Sequence, residues 1–303
     1  MSALAPRTDN ARGIGLMLAS QGLFVVNDTL TKACAAELPT GEIIAVRGLF
    51  ATLLLLPIVL SQGALRHLGS TYSRPLFVRN ASEAFSVLLY LSALLRLPLA
   101  NVISILQTAP LMLTGAAALW LGERVGWRRW LAASVGLAGI LLIVKPGTAQ
   151  FSWWYVVGFL GVVLAAVRDL ATRSLPRTTP NLLVAFLTAV VVALAGCGLG
   201  LFELWQWPSD SSFGRLLAAA VFLVTGYNAL IAALRMGEIA AVVPFRHAAV
   251  LFGLMLGYGA FGEAPDGWAL AGSAIVVGAG LYTLFRERRH PEPAQAMERS
   301  SAV

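Results

Sequence analysis

The stretch LANVISILQTAPLMLTGAAALWLGERVGWRRWLAASVGLAGILLIV occupies residues 99–144 and decides the fold. It contains two apolar segments, at about 99–121 and 127–145, which are separated by a short charged turn. A helix of about twenty apolar residues is long enough to cross the hydrocarbon layer of a bilayer. The stretch therefore predicts two membrane-spanning helices joined by a tight link.

The rest of the chain follows the same pattern. Of its 303 residues, 58% are hydrophobic and only 12% are charged, and the mean hydropathy is +0.76. A soluble domain of this size has about a quarter of its residues charged, so lipid is the expected solvent. The sequence predicts an all-α integral membrane protein with ten transmembrane helices, at 13–35, 41–61, 75–96, 99–121, 127–145, 153–173, 180–202, 213–234, 239–261 and 267–286.

The basic residues predict the orientation, because short cytoplasmic links carry an excess of Arg and Lys. With ten spans, the links on the opposite side from the termini hold only Lys32, Arg96, Lys145 and Arg215. The protein is therefore expected in a bacterial inner membrane, with both termini on the cytoplasmic side. The net charge of +7 is spread over helix ends and forms no long basic stripe, so no nucleic-acid partner is expected.

An internal repeat with an offset of about 140 residues organises these helices. It places Asp28, Thr31 and Lys32 on Asp169, Thr172 and Arg173, and it places Gly122-Glu123 on Gly262-Glu263. A repeat of five spans is odd, so the second copy must enter the membrane from the opposite side. The predicted organisation is two inverted five-helix repeats, at 1–145 and 146–288, followed by a disordered cytoplasmic tail at 289–303.

Residues 99–144 resemble the fourth and fifth helices of the drug/metabolite transporter superfamily, EamA type. The resemblance rests on the polar start of the helix, Pro110 in its middle, Gly122-Glu123 at its end and the glycine-rich helix that follows. Arg47 and Gly262-Glu263 fit the same family, and the resemblance extends over about 13–286. It implies a secondary transporter, and YddG-like amino-acid exporters are the branch that it suggests.

The halves depart from exact symmetry. Thr188 stands where the repeat would place the counterpart of Arg47, and Val250 stands where it would place that of Pro110. Any argument from the repeat is therefore approximate.

Polar residues inside the spans predict a substrate cavity, because they are costly in lipid and usually face the bundle interior. The alternative for Arg79 and Glu83 is an ion pair that only anchors its helix, and for the neutral residues it is hydrogen bonding between helices. The cavity candidates are Arg79, Glu83, Ser86, Tyr90, Asn101, Ser104, Gln107, Thr108, Thr225, Asn228, Arg246 and His247.

Two repeat-related charge pairs are gate candidates. Asp28 and Lys32 lie one turn apart near the outer end of the first span, and Asp169 and Arg173 have the same spacing near the inner end of the sixth. Ordinary pairs on wet helix ends are the alternative interpretation, worth about 0.3–0.5 kcal/mol each. Pro110 and Pro244 interrupt helical hydrogen bonding and are the hinge candidates.

The predicted function is export of aromatic or neutral amino acids, or of similar small amphipathic metabolites, by alternating access. The alternatives are export of cationic drugs or of another metabolite, a channel or receptor, and an intramembrane enzyme. The motifs GxxxxGK[ST], HExxH and GxSxG do not occur, so ATP-driven pumping and hydrolysis are disfavoured.

The expected partners are a small-molecule substrate and the lipid bilayer, with no cofactor and no metal. Gly196 and Gly200, and likewise Gly253 and Gly257, have the spacing that lets helices approach closely. They predict helix packing within a monomer, with a weak homodimer as the alternative.

Overall fold

A computed structural model of the protein describes residues 9–67, 73–112, 127–176, 179–236 and 239–289. This part contains no strand and has ten helices of eight or more residues. A helix begins within each of the ten predicted spans or a few residues before it. The helices are α1 (Asn10–Ala33), α2 (Thr40–Ser61), α3 (Arg74–Leu94), α4 (Leu99–Leu106), α5 (Trp127–Val144), α6 (Trp153–Arg173), α7 (Asn181–Gly200), α8 (Asp210–Met236), α9 (Ala248–Phe261) and α10 (Gly267–Arg289).

Four of the described helices are long and apolar enough to cross a membrane, namely α2, α6, α7 and α8. Helix α1 has 24 residues, but its polar side chains lower its hydropathy. Ser20, Gln21, Asn27 and Thr31 of α1 are buried, so they face neighbouring helices and not lipid. A helix that lines a polar interior therefore scores poorly on hydropathy even when its length is sufficient.

Several predicted features lie outside the described residues. They are the second half of the fourth predicted span, Gly122-Glu123, the side chain of Arg173 and residues 290–303 of the predicted tail.

The helices pack in a pattern that survives exchange of the two halves of the chain. The most extensive contacts join α1 to α8, α3 to α6, α2 to α7 and α5 to α10. Each helix has its counterpart five helices away in the other half of the chain. Replacing every helix by its counterpart turns the α1–α8 pair into the α6–α3 pair and turns the α2–α7 and α5–α10 pairs into themselves. The lesser contacts α2–α8 and α3–α7 also exchange. The two halves therefore interlock, and most of the close packing lies between them.

Two helix crossings that are equivalent under the repeat each contain a serine-to-glycine hydrogen bond, and the serine and the glycine exchange halves between the two crossings. The Ser20 hydroxyl on α1 donates to the Gly226 carbonyl on α8 at 2.9 Å, and the Ser86 hydroxyl on α3 donates to the Gly161 carbonyl on α6 at 2.8 Å. Under the offset of about 140 residues, Ser20 corresponds to Gly161 and Ser86 to Gly226. The packing thus agrees with the repeat at the level of individual contacts.

The glycine motifs pack helices of the same chain. A Cβ atom on Gly196 would lie 2.4 Å from the Ala45 nitrogen, where α7 meets α2. A Cβ atom on Gly253 would lie 2.8 Å from Ile103 Cδ1, where α9 meets α4. The predicted helix-packing role of these glycines is confirmed at both crossings.

The links between helices alternate between two ends of the bundle. At one end, called the Lys32 end, Glu203 accepts from the Gly41 amide at 2.7 Å and Arg96 stacks on Trp154 at 4.1 Å. Glu37 at this end accepts from Ser212 and Ser209, and these bonds lower the pKa of its carboxyl.

At the opposite end, called the Asp9 end, the Asp9 amide donates to the Met236 carbonyl at 3.0 Å. This bond joins the start of α1 to the end of α8. Val59 near the end of α2 packs there with Leu183 near the start of α7.

Candidate functional site

Two helices are interrupted at equivalent places in the two halves. Helix α4 ends at Leu106, and helical structure resumes at residues 109–112, because Pro110 has no amide hydrogen for the Leu106 carbonyl. Helix α9 is preceded by the 3-10 segment Val243–His247, which contains Pro244. Gln107 and His247, which correspond in the repeat, are both buried at these interruptions. The hinge role of the two prolines stays a prediction.

An ion-pair cluster joins α3 to α6. Arg168 donates from Nη1 to Glu83 Oε2 at 2.6 Å and from Nε to Asp169 Oδ1 at 2.9 Å. Arg79 donates instead to Thr188 Oγ1 on α7 and to Asn80 Oδ1. The pair between Arg79 and Glu83 that was the alternative interpretation does not form, because the close α3–α6 crossing brings Arg168 to the carboxylate.

A second cluster centres on Asp28 of α1. Asp28 Oδ2 accepts from the Tyr90 hydroxyl of α3 at 2.8 Å, and Asp28 Oδ1 accepts from Asn27 Nδ2 at 2.9 Å. Arg47 of α2 donates from Nη1 to Asn27 Oδ1 at 3.2 Å. Three helices thus contribute to one partly buried polar chain.

A network at the Lys32 end joins three parts of the chain, and we call it the Lys32–Glu263 bridge. Lys32 Nζ lies 2.5 Å from Glu263 Oε1 and also donates to the Leu97 carbonyl. Glu263 Oε2 accepts from the Leu99 amide at 2.6 Å. The Lys32 ammonium lies 5.2 Å from the centre of the Phe261 ring. The bridge holds α1, the α3–α4 link and the α9–α10 link together.

The bridge involves one of the gate candidates. Lys32 lies one turn from Asp28 but pairs with Glu263 from the other half of the chain. Asp169 pairs with its neighbour Arg168, while the side chain of Arg173 lies outside the described part. The gate role of these four residues stays a prediction.

Tyr227 and Arg246 mark an opening inside the bundle. Tyr227 of α8 is 47% exposed, although it interacts electrostatically with Glu83 and Arg168 and its ring contacts Phe24 of α1 at 5.0 Å. Arg246 is partly exposed and interacts electrostatically with Asp169 and Tyr227. Charges on several helices surround these side chains, so we infer that their exposed surfaces face a space between the helices, which we call the central cavity.

The side chain of Arg246 forms no hydrogen bond or ion pair with any residue that the structure describes, in contrast to that of Arg168. An unpaired guanidinium inside a membrane protein is a favourable site for an anionic ligand group, since Arg binds carboxylates with two parallel hydrogen bonds.

The other predicted cavity residues make contacts between or within helices. Ser104 bonds Ser273 at 2.8 Å and Asn101 Nδ2 donates to the Tyr155 hydroxyl at 2.8 Å. Asn228 donates to the Val224 carbonyl of its own helix, and Thr225 is exposed. Thr108 donates to the Ile105 carbonyl at 2.6 Å. Of these residues, Ser104 and Asn101 make the hydrogen bonds between helices that the alternative expects, and the cavity role of the set stays a prediction.

Sequence reasoning missed Arg168, Phe24 and Tyr227 as members of the site. Arg168 had a signal, because it is a charged residue within a predicted span and directly precedes the gate candidate Asp169. Phe24 and Tyr227 had none, because an aromatic residue in a span is equally expected to face lipid.

A family comparison matches the chain twice. The family described as "EamA-like transporter family" matches residues 11–145 and 152–285, which together cover most of the chain. The two matches agree closely with the boundaries of the predicted repeats.

Curated relatives are transporters with different named substrates. The chain is 28% identical to a riboflavin transporter of Rhizobium johnstonii, covering 81% of each chain. It is 25% identical to an S-adenosylmethionine uptake transporter of Rickettsia felis, covering 91% of this chain and 94% of the relative. It is 28% identical to a pseudopaline exporter of Pseudomonas aeruginosa, covering 88% of this chain and 93% of the relative.

A solved crystal structure shares the fold. It is 22% identical to this chain, covers 91% of this chain and 98% of its own length, and superposes with a TM-score of 0.62.

Proposed function

Since this chain belongs to the EamA-like transporter family, we propose that it is a secondary transporter that exports small amphipathic zwitterions, aromatic or neutral amino acids among them, by alternating access. Membership makes it a membrane transporter of small molecules and not an enzyme. The observation that carries the finer proposal is the Arg246 guanidinium, which has no hydrogen bond or ion pair within the described residues. The Lys32–Glu263 bridge is proposed to close the Lys32 end.

The proposed architecture is two inverted five-helix repeats that cross the membrane ten times, divided at about residues 145 and 146. Its support is the double family match, the exchange pattern of the helix contacts and the swapped Ser–Gly crossings. Two similar halves in opposite orientation can exchange conformations, which would expose one central site to each side in turn.

The proposed orientation places the Asp9 end, with both termini, in the cytoplasm and the Lys32 end outside, because the Asp9 end carries the basic excess. In a variant without the free cysteines Cys34 and Cys197, Ala149→Cys at the Lys32 end is expected to react with a membrane-impermeant maleimide in intact cells. Gln62→Cys at the Asp9 end is expected to react only after permeabilisation. Labelling of Gln62→Cys in intact cells would reverse the orientation.

The substrate class is supported by the site and by the names of the relatives. S-adenosylmethionine, named for one relative, carries an amino-acid headgroup on a large aromatic body. The central cavity offers matching chemistry, with a guanidinium at Arg246 and aromatic rings at Tyr227 and Phe24. One named relative is an uptake transporter and another is an exporter, so the export direction rests on the predicted resemblance to amino-acid exporters.

Transport in liposomes tests the proposal. Purified protein is reconstituted with labelled phenylalanine, leucine, glutamate and a cationic dye, each with and without a pH gradient. We expect saturable movement of phenylalanine and leucine that is absent from empty liposomes. Movement of the dye alone would favour a cationic-drug exporter, and unsaturable flux of all four compounds would favour a channel.

A further inference from the structure

We propose that Asp28 binds the cationic group of the transported molecule, so that the site has a negative pole at Asp28 and a positive pole at Arg246. This inference rests on the proposed function and specifies its substrate: a zwitterion with an apolar side chain, whose ammonium binds Asp28 and whose carboxylate binds Arg246.

The carboxylates around the interior differ in what neutralises them. Glu83 and Asp169 share the guanidinium of Arg168, and Glu263 pairs with Lys32. Asp28 accepts only from two neutral groups, the Tyr90 hydroxyl and the Asn27 amide, and makes no ion pair within the described residues. Asp28 is thus a carboxylate with its supporting hydrogen bonds in place and no cation in contact.

The charges around Asp28 leave room for a cation. On α2, Arg47 attracts Asp28 electrostatically but donates its hydrogen bond to Asn27, which separates the two groups. Lys32, one turn along α1, is held away by Glu263. The neighbouring titratable groups on the helices that pack against α1 are Tyr90 and Glu83 of α3, Tyr227 of α8, and Arg246 and His247 before α9. Ionised carboxylates are costly at membrane depth, and a bound ammonium would relieve that cost.

Asp28 is also accessible from the cavity side. It is partly exposed, and Arg47 of α2 and Tyr90 of α3 lie beside it, so we infer that its free surface faces space inside the bundle. A carboxylate that was fully enclosed by protein would have no route to a ligand.

An aromatic pair lies beside Asp28. Phe24 precedes Asp28 by one turn on the same face of α1. Its ring meets the Tyr227 ring edge-on at 5.0 Å. The two rings offer an apolar surface next to the carboxylate. The side chain of an aromatic amino acid can pack on such a surface while its ammonium binds Asp28.

The test uses three ligands that differ by one charge each: phenylalanine, phenethylamine without the carboxylate, and 3-phenylpropionate without the ammonium. Binding to purified full-length protein is measured by calorimetry. Asp28→Asn is expected to weaken phenylalanine and phenethylamine by roughly tenfold or more and to leave 3-phenylpropionate unchanged. Arg246→Gln is expected to give the opposite pattern, with phenethylamine unchanged.

Two further variants make the result decisive. Asp9→Asn is the matched control, because it makes the same chemical change on the same helix and asparagine also caps a helix. Asp28→Glu is expected to restore part of the affinity for phenylalanine if Asp28→Asn folds poorly. Equal weakening of all three ligands by Asp28→Asn, or none, would overturn the role of Asp28 while leaving the transporter proposal standing. Absence of binding by wild type to all three would overturn the proposed substrate class and the Asp28 pole together.

Discussion

Glu263→Gln is expected to open the Lys32 end of the protein. The substitution removes the charge that holds Lys32 but leaves an amide oxygen that can still accept from the Leu99 amide. A lost hydrogen bond between charged groups costs about 1.5–3 kcal/mol, which corresponds to roughly a tenfold to hundredfold shift toward the open state. Under the proposed gating, the bridge forms only when this end is shut, so the substitution destabilises the closed state and leaves the open state unchanged.

The shift is measured with a single cysteine at Tyr227 in the central cavity, labelled by an impermeant reagent from outside. Glu263→Gln is expected to speed this labelling. Asp266→Asn is the matched control: it removes the neighbouring Lys145–Asp266 pair on the same link, and asparagine can still accept from the Ala269 amide. Lys32→Gln should behave like Glu263→Gln, and the double variant should be no faster. A lower melting temperature with unchanged labelling would show that the bridge only stabilises the fold.

Arg246→Gln is expected to reduce transport of zwitterionic amino acids by roughly tenfold to hundredfold, the loss of one charge-assisted hydrogen bond to a carboxylate. The protein itself should keep its stability, because Arg246 has no partner among the described residues that its removal would leave unpaired. The measurements are initial transport rate against substrate concentration and melting temperature for the same preparation.

Arg235→Gln is the control for Arg246→Gln, since it removes an exposed arginine at the end of α8. It is expected to leave the rate within about twofold of wild type, as for most surface substitutions. Arg246→Lys should restore part of the rate, because lysine keeps the charge but not the planar pair of donors. Parallel loss of melting temperature and transport in Arg246→Gln would instead identify Arg246 as a structural residue.

The positions of the helices could be predicted from the sequence because hydropathy is a local property. The predicted spans at 41–61 and 153–173 match α2 and α6 almost residue for residue. The partners of the charged side chains could not be predicted in the same way. Spacing on one helix shows that Asp28 and Lys32 can meet, but the competing partner Glu263 is 231 residues away in the chain.

The repeat could have narrowed the choice of ion-pair partner for Lys32. It had already identified Lys32 and Glu263 as residues with counterparts in the other half, at Arg173 and Glu123. The repeat does not show how the helices are arranged in space. The spatial arrangement places the end of α1 beside the α9–α10 link. Arg168 shows the same limit, because its pairing with Glu83 follows from the α3–α6 crossing and not from either helix alone.

The interlocked packing of the two halves has a consequence for biosynthesis. Helices α1, α2 and α3 find their main partners in α8, α7 and α6, which are translated later. At about 5–20 residues per second, the ribosome needs roughly 8–30 s to complete the second half. During that interval Lys32 and Glu83 of the nascent chain lack their ion-pair partners Glu263 and Arg168. The insertion machinery or a chaperone must shelter these early helices until translation ends.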